Sequence, residues 1–211
     1  MLKALDRLER RWRAHFNVAP TDVESWRRAR IYMLWFDHAV LRLFWTNQMQ
    51  IAPGVIRSNH PTPGRLHRLK RRGVVSVLTL RGSADSAHYA TEQIYCRELG
   101  LTLHAIGFSD KSAPPKASLT ALIDKFRTIE KPFLMHCKSG ADRAGLASVL
   151  YLLVIEGKPL AEARRMLSPR FLHFKGSKTG VLDRVLDQYE TEGAGRDFET
   201  WLEESYDPTR L

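Results

Sequence analysis

A cysteine and an arginine flank a short polar loop, HCKSGADR, in which five residues separate Cys137 from Arg143. The apolar residues 132–135 precede this loop, and a long apolar stretch follows it. This order predicts a buried strand, a loop, and a helix that begins at Arg143. Backbone N–H groups at the start of a helix bind anions and favour negative charge. We therefore expect Cys137 to be a reactive thiolate beside a bound anion of phosphate size.

The loop between these two residues supplies the groups that a phosphoryl group requires. Its expected phosphate-binding residues are Lys138, Ser139, Gly140, Ala141, Asp142 and Arg143. The planar guanidinium of Arg143 binds two oxygens at once and stabilises the charge of a transition state. Gly140 allows the loop to turn with its amides inward, and Gly145 allows the following helix to pack closely. The sulfur of Cys137 then attacks phosphorus and forms a cysteinyl-phosphate.

The same residues resemble the signature of the cysteine-dependent protein tyrosine and dual-specificity phosphatases. This sequence reads HCKSGADRAG, and the resemblance extends over about residues 51–190. The segments APGVIRSNHPTP and VVSVLTLRG are similar to those of small bacterial and fungal dual-specificity phosphatase-like proteins. The resemblance implies a phosphomonoesterase with Cys137 as nucleophile, Arg143 as phosphate ligand, and no metal or organic cofactor. Phosphotyrosine is the expected substrate, and phosphoserine and phosphothreonine are further candidates.

That family also uses a general acid, which it carries on a mobile loop about thirty residues before the cysteine. Asp110 lies 27 residues before Cys137, in a Pro-rich loop directly after an expected strand, and it is the first candidate. Asp142, next to Arg143, is the alternative, since some bacterial relatives are thought to use this position. We favour Asp110 for the proton transfer to the leaving group.

Further residues near the loop have expected roles that follow from the resemblance. His136 is expected to orient the loop through hydrogen bonds. Lys138 is similar to a lysine that attracts polyanions in phosphoinositide phosphatases, but Ala141 replaces the second lysine of that pattern. Ala144 replaces the usual Ser or Thr, so slow hydrolysis of the intermediate is expected. Additional candidates for the wall of the pocket are Arg81, Arg170 and His173.

Three other functions compete with hydrolysis of phosphotyrosine. Lys138 leaves open an inositol phosphate or phosphoinositide phosphatase. Ala144 leaves open a catalytically weak pseudophosphatase that recognises phosphate. Related loops also carry out sulfur chemistry, so a sulfurtransferase or an arsenate-reductase-like protein is a third alternative, and a redox relay would require Cys96 to approach Cys137.

The charge of the chain is strongly positive but unevenly distributed. The net charge is +10 over 211 residues, yet the last 25 residues carry eight acids and two arginines, which leaves +16 on the preceding 186. A basic body attracts phosphorylated substrates, anionic membrane surfaces or nucleic acid. The sequence shows no base-stacking motif and no recognition helix, so we expect no nucleic-acid partner. The oligomeric state does not follow from the sequence.

The start of the chain is basic and helical in pattern. A first helix is expected over about residues 1–17, and a second from about residue 21 to residue 45. The second is rich in aromatic residues, so it either packs on the domain or rests on an anionic membrane. The start lacks the features of a secretory signal, and two cysteines form no disulfide framework. We expect a cytoplasmic protein, with peripheral membrane contact as an option.

From residue 51 onward, short apolar runs alternate with helical patterns. This alternation predicts a three-layer α/β/α fold with a central, mostly parallel sheet of four to five strands, plus an N-terminal helical extension. We expect three segments: a basic, amphipathic helical extension at 1–50, a phosphatase domain at 51–192, and an acidic C-terminal tail at 193–211.

Overall fold

The computed structural model describes residues 2–37, 44–83, 86–193 and 195–211; within the first helix, side chains are described for residue 7 and from residue 10 onward. A five-stranded sheet lies at the centre. Its strands are β1 (Met49–Ala52), β2 (Val55–Asn59), β3 (Ser76–Thr79), β4 (Thr102–Ala105) and β5 (Phe133–Cys137). They are arranged in the order β1-β2-β5-β3-β4, with β1 antiparallel to β2 and all other pairs parallel.

Helices surround this sheet within the described residues. They are α1 (Leu2–Phe16), α2 (Val23–Ile31), α3 (Pro63–Arg71), α4 (Ala87–Glu98), α5 (Lys116–Thr128), α6 (Arg143–Leu150), α7 (Leu160–Ala163), α8 (Val181–Glu192) and α9 (Phe198–Glu204). Single π-helical turns extend α2 over Tyr32–Phe36 and α6 over Tyr151–Ile155.

The strands β3 and β5 are buried along their whole length, because helices cover both faces of the sheet. Successive side chains of a strand point to opposite faces. Accordingly, Val77 and Leu134 join a smaller core with α3 and α4, whereas Leu78 and Met135 join a larger core with α5, α6, α8 and α9. The predicted three-layer fold with a mostly parallel sheet is confirmed.

The N-terminal helices pack beside α4. Asp22 caps α2, since its carboxylate accepts the Ser25 N–H at 2.8 Å while the Ser25 hydroxyl accepts the Asp22 N–H at 2.8 Å. Trp26 contacts Tyr95 of α4, with 6.2 Å between ring centroids. The helix predicted from about residue 21 to residue 45 is confirmed over residues 23–36, but it ends there, since residues 37, 44 and 45 are not helical. The remainder of that prediction, at 38–43, lies outside the described residues.

Several large apolar side chains of this N-terminal region are exposed. Trp12 is 59% exposed, Trp35 is 72% exposed and Phe44 is 89% exposed. Among the helices that the structure describes, none is both long and apolar enough to cross a membrane.

The acidic tail packs on the body of the domain. Phe198, Trp201 and Leu202 of α9 are buried in the larger core. Beyond α9, the Tyr206 hydroxyl donates a hydrogen bond to the Pro114 carbonyl at 2.8 Å. Because Pro114 belongs to the loop between β4 and α5, the tail supports the loop that carries Asp110.

Candidate active site

The carboxyl end of β5 delivers Cys137 to the start of α6. Cys137 is 1% exposed, and β5 lies between β2 and β3 in the middle of the sheet. The loop of residues 138–142 then turns back over the sulfur, and the N–H of Gly140 donates a hydrogen bond to Cys137 Sγ at 3.2 Å. Arg143 is the first residue of α6, so the amino end of this helix lies at the loop.

The carbonyl groups of this loop bind donors that belong to other segments. The donors are the His60 N–H for Lys138 (3.2 Å), the Asn47 side-chain amide for Ser139 (3.2 Å), the Arg57 guanidinium for Gly140, and the Gly145 N–H for Ala141 (3.1 Å). In a peptide unit the N–H points opposite to the C=O. Because these carbonyls are bound, the N–H groups that follow them point to the opposite side of the loop. The N–H of Gly140 reaches Cys137 Sγ, and the N–H of Ala141 donates to the Ser139 hydroxyl at 3.2 Å. A ring of inward N–H groups is an anion-binding nest.

Arg57 is the buried cation beneath this loop. It lies on β2 opposite Met135 of β5, and its side chain is fully buried. Its guanidinium donates to the carbonyls of Met166, at 2.7 Å, and of Gly140, and it stacks on the Phe171 ring with 3.8 Å to the centroid. Burial lowers the pKa of Arg57 to about 10, and the nearby Cys137 acts in the opposite direction. Arg57 therefore remains charged at neutral pH.

Two glycines allow the loop and its helix to come so close to their neighbours. Gly140 has a φ of 75°, and a Cβ there would lie 2.6 Å from the backbone nitrogen of Asn59. A Cβ on Gly145 would lie 2.7 Å from Leu167 Cδ2. At Gly140 the obstacle is backbone and φ is positive, so this position requires glycine, whereas at Gly145 a larger residue would force Leu167 to shift. This geometry agrees with the expected roles of the two glycines, the turn of the loop at Gly140 and the close packing of the helix at Gly145.

The structure brings Asp110 to Arg143. One carboxylate oxygen of Asp110 lies 3.6 Å from Arg143 Nη2, although 33 residues separate them in the chain. The other terminal nitrogen of Arg143 donates to the Leu80 carbonyl at 3.3 Å, which anchors the guanidinium at the end of β3. Asp110 remains partly exposed, with 30% of its side chain accessible. An acid and a guanidinium thus flank the open side of the loop.

The alternative acid, Asp142, is engaged elsewhere. Its carboxylate binds Nδ1 of His173 at 2.8 Å, and Nε2 of the same ring lies 2.7 Å from Asp183. Burial raises the pKa of Asp142, but hydrogen bonds from His173 and Thr179 outweigh it and hold the pKa below its usual value. Burial also lowers the pKa of His173, yet its two carboxylate partners raise it to about 9. An imidazolium between two carboxylates ties the loop to α8.

The three residues that the sequence suggested for the wall of the pocket lie in different surroundings. His173 is buried, so it supports Asp142 from behind and does not line an open pocket. Arg170 is exposed, and its guanidinium lies 5.6 Å from the centroid of the Phe171 ring. Arg81 is close to the loop, where it forms an ion pair with Asp37 at 2.8 Å. Lys138, the first loop residue, lies 3.6 Å from the same carboxylate.

His136 contacts the loop from below. Its Nδ1 lies 3.2 Å from the Cys137 carbonyl and its Nε2 lies 2.7 Å from Oε1 of Glu92. His60 completes a buried group, with its Nδ1 3.9 Å from Oε2 of Glu92. These three residues have ligand atoms within 4.8 Å of one another, and zinc accepts such a donor set. However, His136 Nε2 and Glu92 Oε1 are 2.7 Å apart, which is a hydrogen-bond distance. Two ligand atoms of a tetrahedral zinc ion, each about 2.0–2.1 Å from the metal, are farther apart than this. The spacing of this pair is therefore not that of two zinc ligands.

The second cysteine is far from this chemistry. Cys96 of α4 is buried in the smaller core, whereas Cys137 belongs to the larger core on the other side of the sheet. Burial, with a smaller contribution from Glu92, raises the pKa of the Cys96 thiol to about 12. Cys96 is therefore an unreactive thiol, and the geometry does not support a relay between the two cysteines.

Some residues of the site were not expected from the sequence. They are Asp37, Asn47, Arg57, His60 and Glu92. The segment VIRSN did contain a signal, because an arginine inside an otherwise buried strand requires internal acceptors. The position of those acceptors depends on the pairing of β2 with β5, which no local pattern gives.

Known proteins share both the sequence pattern and the fold of this region. A sequence model described as the tyrosine phosphatase family matches residues 46–159. The dual specificity protein phosphatase TpbA of Pseudomonas aeruginosa is 28% identical over 113 residues, which cover 53% of this chain and 48% of TpbA. The chain thus spans about half the length of the curated relatives it matches.

Solved structures support the same architecture. The crystal structure of TpbA superposes with a TM-score of 0.54 at 20% identity, and the match covers 66% of this chain and 84% of that chain. A putative phosphatase of Shewanella putrefaciens gives a TM-score of 0.56 at 18% identity, over 74% of this chain and 95% of the other. The core catalytic domain of a PP-IP phosphatase from S. cerevisiae gives 0.51 at 20% identity, over 72% and 95%.

At these identities the structural likeness shows the fold, and the family follows from the sequence match. That match covers more than half of the chain and includes the complete loop from Cys137 to Arg143. The chain belongs to the tyrosine phosphatase family.

Proposed function

We propose that the chain is a phosphomonoesterase that hydrolyses phosphotyrosine through a cysteinyl-phosphate on Cys137. The observation that carries this proposal is the nest of N–H groups around a buried cysteine sulfur, with the Gly140 N–H on Sγ at 3.2 Å. Arg143 and Asp110 flank its open side, 3.6 Å apart. The nest and Arg143 fit a phosphoryl dianion, and Asp110 is placed for proton transfer to the leaving group.

The first step forms the phosphoenzyme. The phosphoryl oxygens accept hydrogen bonds from the loop amides and from the two terminal nitrogens of Arg143. The thiolate of Cys137 attacks phosphorus in line with the ester oxygen, the S–P bond forms and the P–O bond breaks. Asp110 gives its proton to the departing oxygen, so that a neutral alcohol or phenol leaves.

The second step restores the enzyme. Asp110, now a carboxylate, takes a proton from a water molecule that attacks the phosphorus of the intermediate. The S–P bond breaks, inorganic phosphate leaves, and Cys137 returns as the thiolate. Ala144, in the first turn of α6, offers no hydroxyl to stabilise this departing thiolate, so slow turnover in this step stays a prediction.

The substrate class is proposed from the relatives. A variant of TpbA has been crystallised in complex with phosphotyrosine, and that fold matches this chain with a TM-score of 0.51 at 17% identity. Phosphoserine and phosphothreonine are proposed as secondary substrates because the curated relative is a dual specificity phosphatase.

Asp110→Asn tests the assignment of the general acid. We expect kcat for a phosphotyrosine peptide to fall on the order of 10²-fold, because the amide cannot protonate the leaving oxygen. Because Asp110 must be protonated to act as an acid, the alkaline limb of the pH–rate profile should also disappear in the variant. The profile of kcat against pH for wild type and variant is the measurement.

Two matched variants control this experiment. Asp124→Asn removes an exposed carboxylate on α5 and should leave kcat unchanged. Asp142→Asn removes the rival acid, whose carboxylate is bound by His173. If Asp142→Asn abolished the alkaline limb while Asp110→Asn preserved it, the two assignments would be reversed.

We also propose peripheral contact of the N-terminal helices with an anionic membrane. Exposed aromatic residues and exposed arginines share this region: Trp12, Trp35, Phe44, Arg11, Arg27 and Arg30. Such a surface binds anionic lipid through both charge and apolar area. Most of the protein should float with phosphatidylserine vesicles at low salt and little with phosphatidylcholine vesicles. Equal recovery with both lipids, or none at low salt, would contradict this proposal.

A further inference from the structure

An acid of the N-terminal region lies between two cations at the edge of the proposed active site. Asp37 directly follows the π-helical turn Tyr32–Phe36, and it is 2% exposed. Its two carboxylate oxygens accept hydrogen bonds from the Arg81 guanidinium at 3.0 and 2.8 Å. Oδ1 also lies 3.6 Å from Lys138 Nζ. One carboxylate therefore pairs with two cations that come from separate segments of the chain.

Both cations border the place where the phosphate would bind. Lys138 is the residue after Cys137 and the first of the anion-binding loop. Arg81 follows Leu80, whose carbonyl accepts a hydrogen bond from Arg143 at 3.3 Å. Lys138 remains 39% exposed, so a solvent-borne ligand reaches it, whereas the Arg81 side chain is only 8% exposed. Asp37 is thus next to the nest and not in it.

The geometry of this contact is that of a bound oxyanion. A guanidinium binds two oxygens of a carboxylate or of a phosphate in the same paired arrangement. An ammonium adds a point charge that suits either anion. Without Asp37, Arg81 and Lys138 would present two adjacent positive charges beside Arg143, and such a cluster binds a second phosphate group of one ligand.

We propose that Asp37 is an internal anion that occupies a second phosphate subsite, formed by Arg81 and Lys138. Asp37 thereby restricts the site to ligands with a single phosphate group. This inference rests on the proposed function for the chemistry of the first subsite. It assigns a specificity role to the N-terminal region, because the carboxylate belongs to that region while both cations belong to the part of the chain that binds the phosphoryl group.

Binding of two anions tests this assignment. The full chain carrying Cys137→Ser, which prevents turnover, is compared with the same protein carrying also Asp37→Asn. Isothermal calorimetry measures the Kd of inorganic phosphate and of inositol hexakisphosphate. We expect Asp37→Asn to lower the Kd of inositol hexakisphosphate by at least about tenfold and the Kd of phosphate by no more than about twofold. Only the larger ligand reaches both subsites. No change, or an equal change for both anions, would overturn the proposal.

Two further variants secure the result. Asp124→Asn removes an equal charge from the exposed surface of α5 and should leave both affinities unchanged. Lys138→Met, with Asp37 in place, should weaken inositol hexakisphosphate binding by no more than about twofold, since Asp37 already neutralises that lysine. A tenfold loss there would overturn the proposal even if Asp37→Asn did not fold. Because binding is measured without turnover, an absence of phosphatase activity in the wild type would count only against the proposed function.

Discussion

Replacement of Cys137 by serine is expected to lower the hydrolysis of p-nitrophenyl phosphate by about 10⁴-fold or more. The sulfur is the nucleophile of the proposed reaction, and a serine hydroxyl is not ionised at neutral pH. The Gly140 N–H that donates to Sγ would meet a neutral hydroxyl in the variant. Steady-state rates in the presence of a reductant and a metal chelator, for wild type and variant, measure this loss.

The same variant should keep its fold and its anion site. Serine is close in size to cysteine, and the donors that hold the loop carbonyls lie on other segments. We therefore expect phosphate to raise the melting temperature of Cys137→Ser about as much as that of the wild type. Cys96→Ser is the matched control, and it should retain activity because Cys96 lies in the other core. Persistent hydrolysis by Cys137→Ser would mean that another group is the nucleophile.

The loop itself was predictable because its determinants are neighbours in the chain. An apolar strand, a glycine-containing turn and an apolar helix place Cys137, Gly140 and Arg143 together without any distant contact. The structure shows β5 and α6 at these positions, with the Gly140 N–H directed at the sulfur of Cys137. The general order of strands and helices followed for the same reason, since each element carries its own periodicity.

Contacts over long sequence distances were not predictable in this way. Arg57 reaches Gly140 across 83 residues, and Asn47 reaches Ser139 across 92 residues. The first of these contacts depends on the register of β2 against β5, which places Arg57 opposite Met135. Asp37 reaches Arg81 across 44 residues, and it lies in the segment that the sequence predicted to be part of one continuous helix. Hydrophobic periodicity shows which face of a helix or strand is buried, but it does not show which polar group of another segment contacts that face.

The contact of Asp110 with Arg143 lies between these cases. The spacing to Cys137 and the proline-rich loop identified the residue, but only through the resemblance to a family. The structure adds a physical reason for the choice. The loop is held by the tail through Tyr206 and Pro114, and it places the Asp110 carboxylate 3.6 Å from the guanidinium that would bind the substrate.

Arg57 is the residue whose replacement should have the second largest effect. Its guanidinium donates hydrogen bonds to the loop carbonyls of Gly140 and Ala141, the latter at 3.5 Å, and to the Met166 carbonyl at 2.7 Å. Burial lowers the pKa of Arg57, and the nearby Cys137 opposes this lowering, so the two groups are electrostatically coupled. Loss of the guanidinium would leave buried carbonyls without donors and would free the loop to turn its peptide units.

Arg57→Met is therefore expected to destabilise the protein by about 3–5 kcal/mol, since several buried acceptors lose a charged donor at once. The remaining folded protein should lose about 10²–10³-fold in kcat/KM because the N–H groups of the nest no longer converge on the phosphate. Urea unfolding and kcat/KM measure these two consequences. The rate of Cys137 alkylation by iodoacetamide at pH 7 should also fall, because a cation near the sulfur is lost. Arg57→Lys keeps the charge but not the planar fork of donors, so it should restore the alkylation rate more than kcat/KM.

Arg184→Met is the control. Arg184 lies on the exposed face of α8, and its replacement should change neither the stability, nor kcat/KM, nor the alkylation rate. If Arg57→Met lost stability alone and kept the alkylation rate and kcat/KM of the wild type, Arg57 would be a packing residue with no part in shaping the nest.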